Sequence, residues 1–118
     1  MIQCLLIEYE PCCRLLLKAV LEACYCRVKL AETPLDAQRV FAQGSQFDVV
    51  LFDGSTLNQA EWDAFAADTK HTNRMICTAA RPSVANRARI ALKREVEYCG
   101  KNVDILEELV LGPLVVRV

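Results

Sequence analysis

The stretch FDVVLFD, residues 47–53, sets Phe47, Val49 and Leu51 on one side of an extended strand and Val50 and Phe52 on the other. Successive strand side chains point to opposite faces, so a strand that is apolar on both must be covered on both. Such strands belong to a parallel sheet sandwiched between helices. IQCLLIE at 2–8 has the same character, an apolar run without alternation that ends in a carboxylate. CRVKLAE (26–32) and RMICTAA (74–80) supply two more strands, and EVEYCG (95–100) reads as a short, half-polar edge strand.

Between the strands the apolar spacing changes to three and four. PCCRLLLKAVLEA, opened by Pro11, repeats Cys13, Leu17, Val20, Leu21 and Cys24, a helix with proline in its first turn. In TPLDAQRVFAQG, Thr33 can cap, Pro34 takes the first helical position and Gly44 lies just past the end. LNQAEWDAFAADTK (57–70) turns Trp62, Phe65 and Ala66 inward. SVANRARIALKR (83–94) carries Val84, Ala88 and Ala91 on its core stripe, with Ser83 as candidate cap. NVDILEELVL (102–111) is a last helix stopped by Gly112-Pro113. Strand and helix alternate five times, which predicts one α/β domain over residues 1–118, with right-handed crossovers and helices on both faces.

Composition narrows the function classes. The net charge is −1, which gives no global reason for a nucleic-acid or membrane partner, and the apolar fraction is 53%. No apolar run approaches the roughly 20 residues of a membrane span, and no signal peptide opens the chain, so the expected location is cytoplasmic. The seven cysteines are odd in number and spaced CC and CxC, which fits neither a disulfide framework nor paired zinc ligands. They read as small core hydrophobes, with Cys12, Cys13 and Cys26 expected to be partly exposed.

In a doubly wound sheet, ligands collect at the carboxyl ends of the strands. There the first strand ends in Glu8, the third in Asp53 and the fourth in Thr78, and Lys101 follows the fifth. An acid pair, a hydroxyl and an ammonium from distant parts of the chain should share one face.

These residues, in this order, resemble the response-regulator receiver domain, the CheY-like family, from Ile2 to about Leu111. The family shows two adjacent acids and then EP after strand one, followed by a helix with Arg and two spaced Leu. This chain has EYEPCCRLLLKAVLE, with Arg14, Leu17 and Leu21 in register. Asp53 in DVVLFDGST matches the phosphate-accepting Asp, Thr78-Ala79 the strand-four pair, and Tyr98 with Lys101 the strand-five aromatic and lysine. The resemblance implies a flavodoxin-like five-stranded parallel sheet of order 2-1-3-4-5 with five helices, standing alone as a signalling switch or adaptor. It implies Asp53, Thr78 and Lys101 as the phosphoryl-handling residues and Thr78 with Tyr98 as the switch. A histidine kinase or phosphotransfer protein would be the phosphodonor. A downstream partner would read helix four, strand five and helix five.

The departures from the family bear on chemistry. Glu8 replaces the first acid and Tyr9, which is no carboxylate, replaces the second, which in the family touches the metal. The remaining metal donors are Glu8, Asp53 and Ser55, and Mg²⁺ binding is expected to be weak or absent. Tyr25 stands where a glycine precedes strand two, Leu57 where proline follows the acceptor loop, and Asn102 where proline follows the lysine. The alternative implied is a pseudo-receiver that works by surface recognition alone.

From Arg74 to Arg94 the chain carries Arg74, Arg81, Arg87, Arg89, Lys93 and Arg94 and no acid. Arg87, Ile90 and Arg94 share a helical face turned away from the core stripe. This segment, Arg81, Arg87, Arg89, Ile90 and Arg94, reads as a solvated basic face, a dock for an acidic protein, or a site for a phosphate-bearing ligand. The family resemblance adds a cyclic dinucleotide, cyclic-di-GMP, as one such ligand. No second basic element supports DNA binding. His71, the one histidine, reads as a surface-loop residue. The apolar tail at 112–118 can pack, add a strand to an edge, or hang free.

Overall fold

The computed structural model describes residues 1–112. Its elements are β1 (Ile2–Ile7), α1 (Pro11–Ala23), β2 (Cys26–Ala31), α2 (Pro34–Ala42), β3 (Val49–Phe52), α3 (Gln59–Asp68), β4 (Arg74–Cys77), α4 (Pro82–Leu92), β5 (Glu97–Tyr98) and α5 (Val103–Leu111). All strand pairs are parallel and the sheet order is β2-β1-β3-β4-β5, the flavodoxin-like arrangement expected.

Strand alternation divides the core into two layers. Leu5, Ile7, Val50, Phe52, Met75 and Cys77 face α2, α3 and α4, where they meet Ala37, Val40, Trp62, Phe65, Val84 and Ala88. Cys4, Leu6, Val49, Leu51 and Ile76 face α1 and α5, where they meet Leu17, Leu21, Leu106 and Val110. Phe52, Trp62 and Phe65 form an aromatic knot, with ring centroids 5.1 to 6.3 Å apart, beneath the carboxyl end of β3.

Several local expectations change. Phe47 lies in the loop before β3, not on it, and packs edge-on against Phe41 in the layer opposite Val49. Helix α3 begins two residues later than expected because Asn58 and Glu61 form a reciprocal capping box that fixes its start. Ser83 is not a cap: α4 starts at Pro82, and its cap residue, Arg81, makes no side-chain capping bond. The same helix ends at Leu92, because Lys93 takes a left-handed conformation with φ +53°, so Arg94 is not on it. Cys26 is buried beside Cys4 rather than partly exposed, because the first residue of β2 already points into the α1/α5 layer. Cys12 is exposed and Cys13 half-buried, as expected. Burial pushes the Cys99 thiol up to about 11 and Cys4 higher still, so neither is a thiolate at neutral pH.

A bidentate pair ties the far edge together. Arg74 donates to both Glu97 carboxylate oxygens at 2.8 and 2.7 Å and to the Leu109 carbonyl at 2.8 Å, joining β4, β5 and α5. Among the described residues no helix is long and apolar enough to cross a membrane. The tail expected at 112–118 lies outside the described residues beyond Gly112.

Candidate functional site

Parallel register carries the strand-end residues to one edge. Leu6 pairs with Leu51 and Ile7 with Phe52 across β1 and β3, so Glu8 and Asp53 leave the sheet side by side. Phe52 pairs with Cys77 across β3 and β4, and the Thr78 N–H donates to the Phe52 carbonyl at 2.8 Å, so Thr78 stands one step on from Asp53's strand. Lys101 follows the Cys77–Tyr98 pairing of β4 with β5.

Lys101 joins the two acids. Its ammonium donates to Asp53 Oδ2 at 2.9 Å and to both Glu8 carboxylate oxygens at 3.2 Å. Glu8 is only 3% exposed, unusual for a carboxylate and tolerable because it is paired. Burial pushes its pKa up, and the lysine opposes this only in part. Burial also pushes Asp53 up, but hydrogen bonds from Ser55 and Lys101 outweigh it and hold the carboxyl below its usual value. For Lys101, burial disfavours the ammonium, but the bonds to Asp53 and the charges of both acids raise its pKa above the ordinary lysine value. The direction of each shift keeps Asp53 and Lys101 charged at neutral pH.

The other oxygen of Asp53 faces Ser55, which donates to Oδ1 from its N–H at 3.0 Å and from its hydroxyl. Gly54 makes this turn: its φ is +80°, and a Cβ there would stand 2.9 Å from the Trp62 ring. The neighbouring acids are committed elsewhere. Glu10 caps α1, accepting from the Cys13 N–H at 2.6 Å, and Glu32 lies 3.5 Å from Arg14. Arg14 also donates to the Glu8 and Tyr9 carbonyls at 3.1 and 3.2 Å, which fixes the β1–α1 loop. Tyr9 itself is 76% exposed.

This donor set does not fit a resident Mg²⁺. The ion requires near-octahedral oxygen ligands, and the two converging carboxylates are both held by an ammonium. Ser55 presents hydrogen-bond donors to Asp53, and Tyr9 presents a phenol to solvent. Among the described residues no group of three or more His, Cys, Asp or Glu converges.

Thr78 is fully buried, and its hydroxyl has no hydrogen-bond partner among the described residues. Such orphans are rare in folded chains and call for an explanation. Tyr98 is turned inward, donating to the Ala79 and Ala80 carbonyls at 2.9 and 3.2 Å. Gly100, at φ +60°, admits this rotamer, since a Cβ there would lie 2.9 Å from the phenol oxygen. Gly54, Gly100, Glu10 and Arg14 thus shape the site; a glycine directly after a strand-end carboxylate was the readable signal for the first.

The basic segment does not converge. Arg89 donates to the Val96 carbonyl at 3.0 and 2.7 Å and to Asn86 at 2.7 Å. Arg94 donates to the Thr69 and Asn73 carbonyls at 3.1 and 3.0 Å. Arg81 and Arg87 make no side-chain hydrogen bond or ion pair among the described residues, and Ile90 is 78% exposed on α4. His71 is exposed beside an open polar cavity of about 480 Å³ at the opposite end of the sheet.

No protein-family model matches the sequence, and no curated protein matches it. Solved structures do match. The response regulator TrrA from Thermotoga maritima, in complex with Mg²⁺-BeF, superposes with a TM-score of 0.74 at 24% identity, covering 98% of this chain and 100% of its own. The chemotaxis protein CheY4 from Vibrio cholerae gives 0.73 at 18% identity, with 98% and 99% covered. The receiver domain of sensor histidine kinase PA1611 from Pseudomonas aeruginosa, with a magnesium ion coordinated in its active-site cleft, gives 0.70 at 19% identity, with 94% and 95% covered. The fold is that of a CheY-like receiver domain.

Proposed function

We propose that this chain, with its CheY-like receiver fold, is a signalling module of the two-component type in which Asp53 accepts a phosphoryl group. The observation that carries the reading is the buried Thr78 hydroxyl, without a partner among the described residues, one register step from the Asp53–Lys101 ion pair. An acyl phosphate on Asp53 would supply the acceptor this hydroxyl lacks, while the Lys101 ammonium offsets the added negative charge. Asp53 is the nucleophile, ionised at neutral pH and exposed enough to be reached. Its donor would be a phosphohistidine on a kinase or phosphotransfer protein.

Output follows from Thr78 and Tyr98. A Thr78 hydroxyl drawn toward the phosphoryl group moves the β4–α4 connection, whose Ala79 and Ala80 carbonyls hold the Tyr98 phenol. The surface that changes is α4, β5 and α5. It carries the solvent-facing Ile90 with Arg87 one turn before it and Arg81 at the start of the same helix, which suits an acidic protein partner with an apolar anchor. A cyclic dinucleotide would need paired guanidiniums, and Arg89 and Arg94 are each spent on backbone carbonyls.

Incubation with acetyl phosphate, followed by intact-mass measurement, tests the reading. The wild type gains one phosphoryl group and Asp53→Asn gains none. An unmodified wild type, or equal modification of both, would refute it.

A further inference from the structure

The phosphoacceptor reading leaves open which cation balances the transferred phosphoryl group, and the arrangement of the acids answers it. Glu8, Glu10, Glu32 and Asp53 are carboxylates near the strand ends among the described residues. Glu10 is committed to the N-terminus of α1 and Glu32 lies against Arg14. Glu8 and Asp53 converge, and the point between them, 2.9 Å from one and 3.2 Å from both oxygens of the other, is filled by the Lys101 ammonium. A divalent ion bridging these acids would have to displace that ammonium and find its remaining ligands where Tyr9 points to solvent. The Glu8 carboxylate is buried and accepts from the lysine with both oxygens.

We propose that Lys101 is the resident cation of this centre, so that phosphoryl transfer to Asp53 proceeds without a divalent metal. The proposal rests on the phosphoacceptor reading and gives it a specific chemistry. With acetyl phosphate as donor, an Asp53 carboxylate oxygen attacks phosphorus and the new O–P bond forms as the bridging P–O bond breaks. Acetate leaves with the electron pair, and no proton is taken up or released at Asp53. Lys101 keeps its proton and shifts one hydrogen bond from Asp53 Oδ2 to a non-bridging phosphoryl oxygen, while the other hydrogens stay on Glu8. Lys101 is therefore a catalytic residue, positioned by Glu8.

The test compares the intact chain with acetyl phosphate in chelator and in millimolar Mg²⁺. Initial phosphorylation rates agree within about twofold if the ammonium does the work of the metal. A stimulation of about tenfold or more by Mg²⁺ overturns the proposal but leaves Asp53 as acceptor. Absence of phosphorylation under both conditions overturns the acceptor reading and this proposal with it. Titration of Mg²⁺ against the fluorescence of Trp62, beneath the acceptor loop, is expected to show no saturable change in the wild type. A saturable change counts against the proposal. Tyr9→Asp restores the missing carboxylate at a solvent-facing position and is expected to produce such a change. Failure of Tyr9→Asp to bind Mg²⁺ would refute the argument that the ligand set, with Tyr9 in it, is what excludes the metal. Lys101→Arg keeps a cation and is expected to keep measurable metal-free transfer, whereas Lys101→Met loses it; equal rates in the two would also refute the role.

Discussion

Replacing Lys101 by methionine should destabilise the protein in a way that depends on pH. The substitution leaves Glu8, which is 3% exposed, without the one side-chain partner it has among the described residues and with Asp53 still nearby as a like charge. The cost has a ceiling, because the carboxyl can escape by taking a proton. Holding a group of ordinary pKa 4.5 neutral at pH 7 costs about 1.36 kcal/mol for each of about 2.5 pH units, or ~3.4 kcal/mol. The lysine is about one-third exposed and solvent screens part of the loss, so ~2 to 3 kcal/mol is the expected destabilisation. Glu8 in the variant has its folded pKa raised further, so its penalty is present above pH 4.5 and fades as pH falls. At pH 5 the same reasoning leaves at most ~0.7 kcal/mol. At the alkaline end, the wild-type contribution of Lys101 is complete below its ordinary 10.5 and is lost as pH rises through its higher folded value. Urea titration followed by Trp62 fluorescence gives both numbers, and Lys101→Met/Glu8→Gln should recover most of the loss at pH 7. An equal loss at pH 5 and pH 7, or no recovery in the double variant, would refute the account of this ion pair.

Arg74→Ala removes three hydrogen bonds joining β4, β5 and α5 and should cost ~2 kcal/mol in urea titration, with α5 amides losing hydrogen-exchange protection first. Tyr25 holds a left-handed φ of +64° and is 75% exposed, so Tyr25→Gly should be neutral to stabilising by up to ~1 kcal/mol, visible as a higher melting temperature. Gly54→Ala should destabilise by ~1 to 3 kcal/mol and shift Trp62 emission, since its Cβ meets the indole at 2.9 Å and its φ is positive.

The sheet was legible because both-face apolar strands and helical spacing leave one architecture, and strand ends then place Glu8, Asp53, Thr78 and Lys101 together without further information. What was not legible depends on single backbone conformations. The left-handed Lys93 ends α4 early and sends Arg94 to the Thr69 and Asn73 carbonyls, so a basic face inferred from spacing loses a member. Arg89 looked free by the same spacing, but a loop carbonyl at Val96 claims it. Glu10 caps α1 through the Cys13 N–H, a role that its place ahead of Pro11 allows but does not fix. Cys26 shares the face of Val28 and Leu30 by strand alternation, so its burial follows from that period rather than from its place at the end of the strand.

The most direct test of the phosphoacceptor centre is the NMR signal of the Thr78 methyl group before and after treatment with acetyl phosphate. With Asp53 phosphorylated, the buried hydroxyl gains an acceptor and the neighbouring methyl resonance moves in the wild type, while in Asp53→Asn it stays in place. A wild type that carries the phosphoryl group with an unmoved Thr78 signal, or that never acquires the group, would contradict the account.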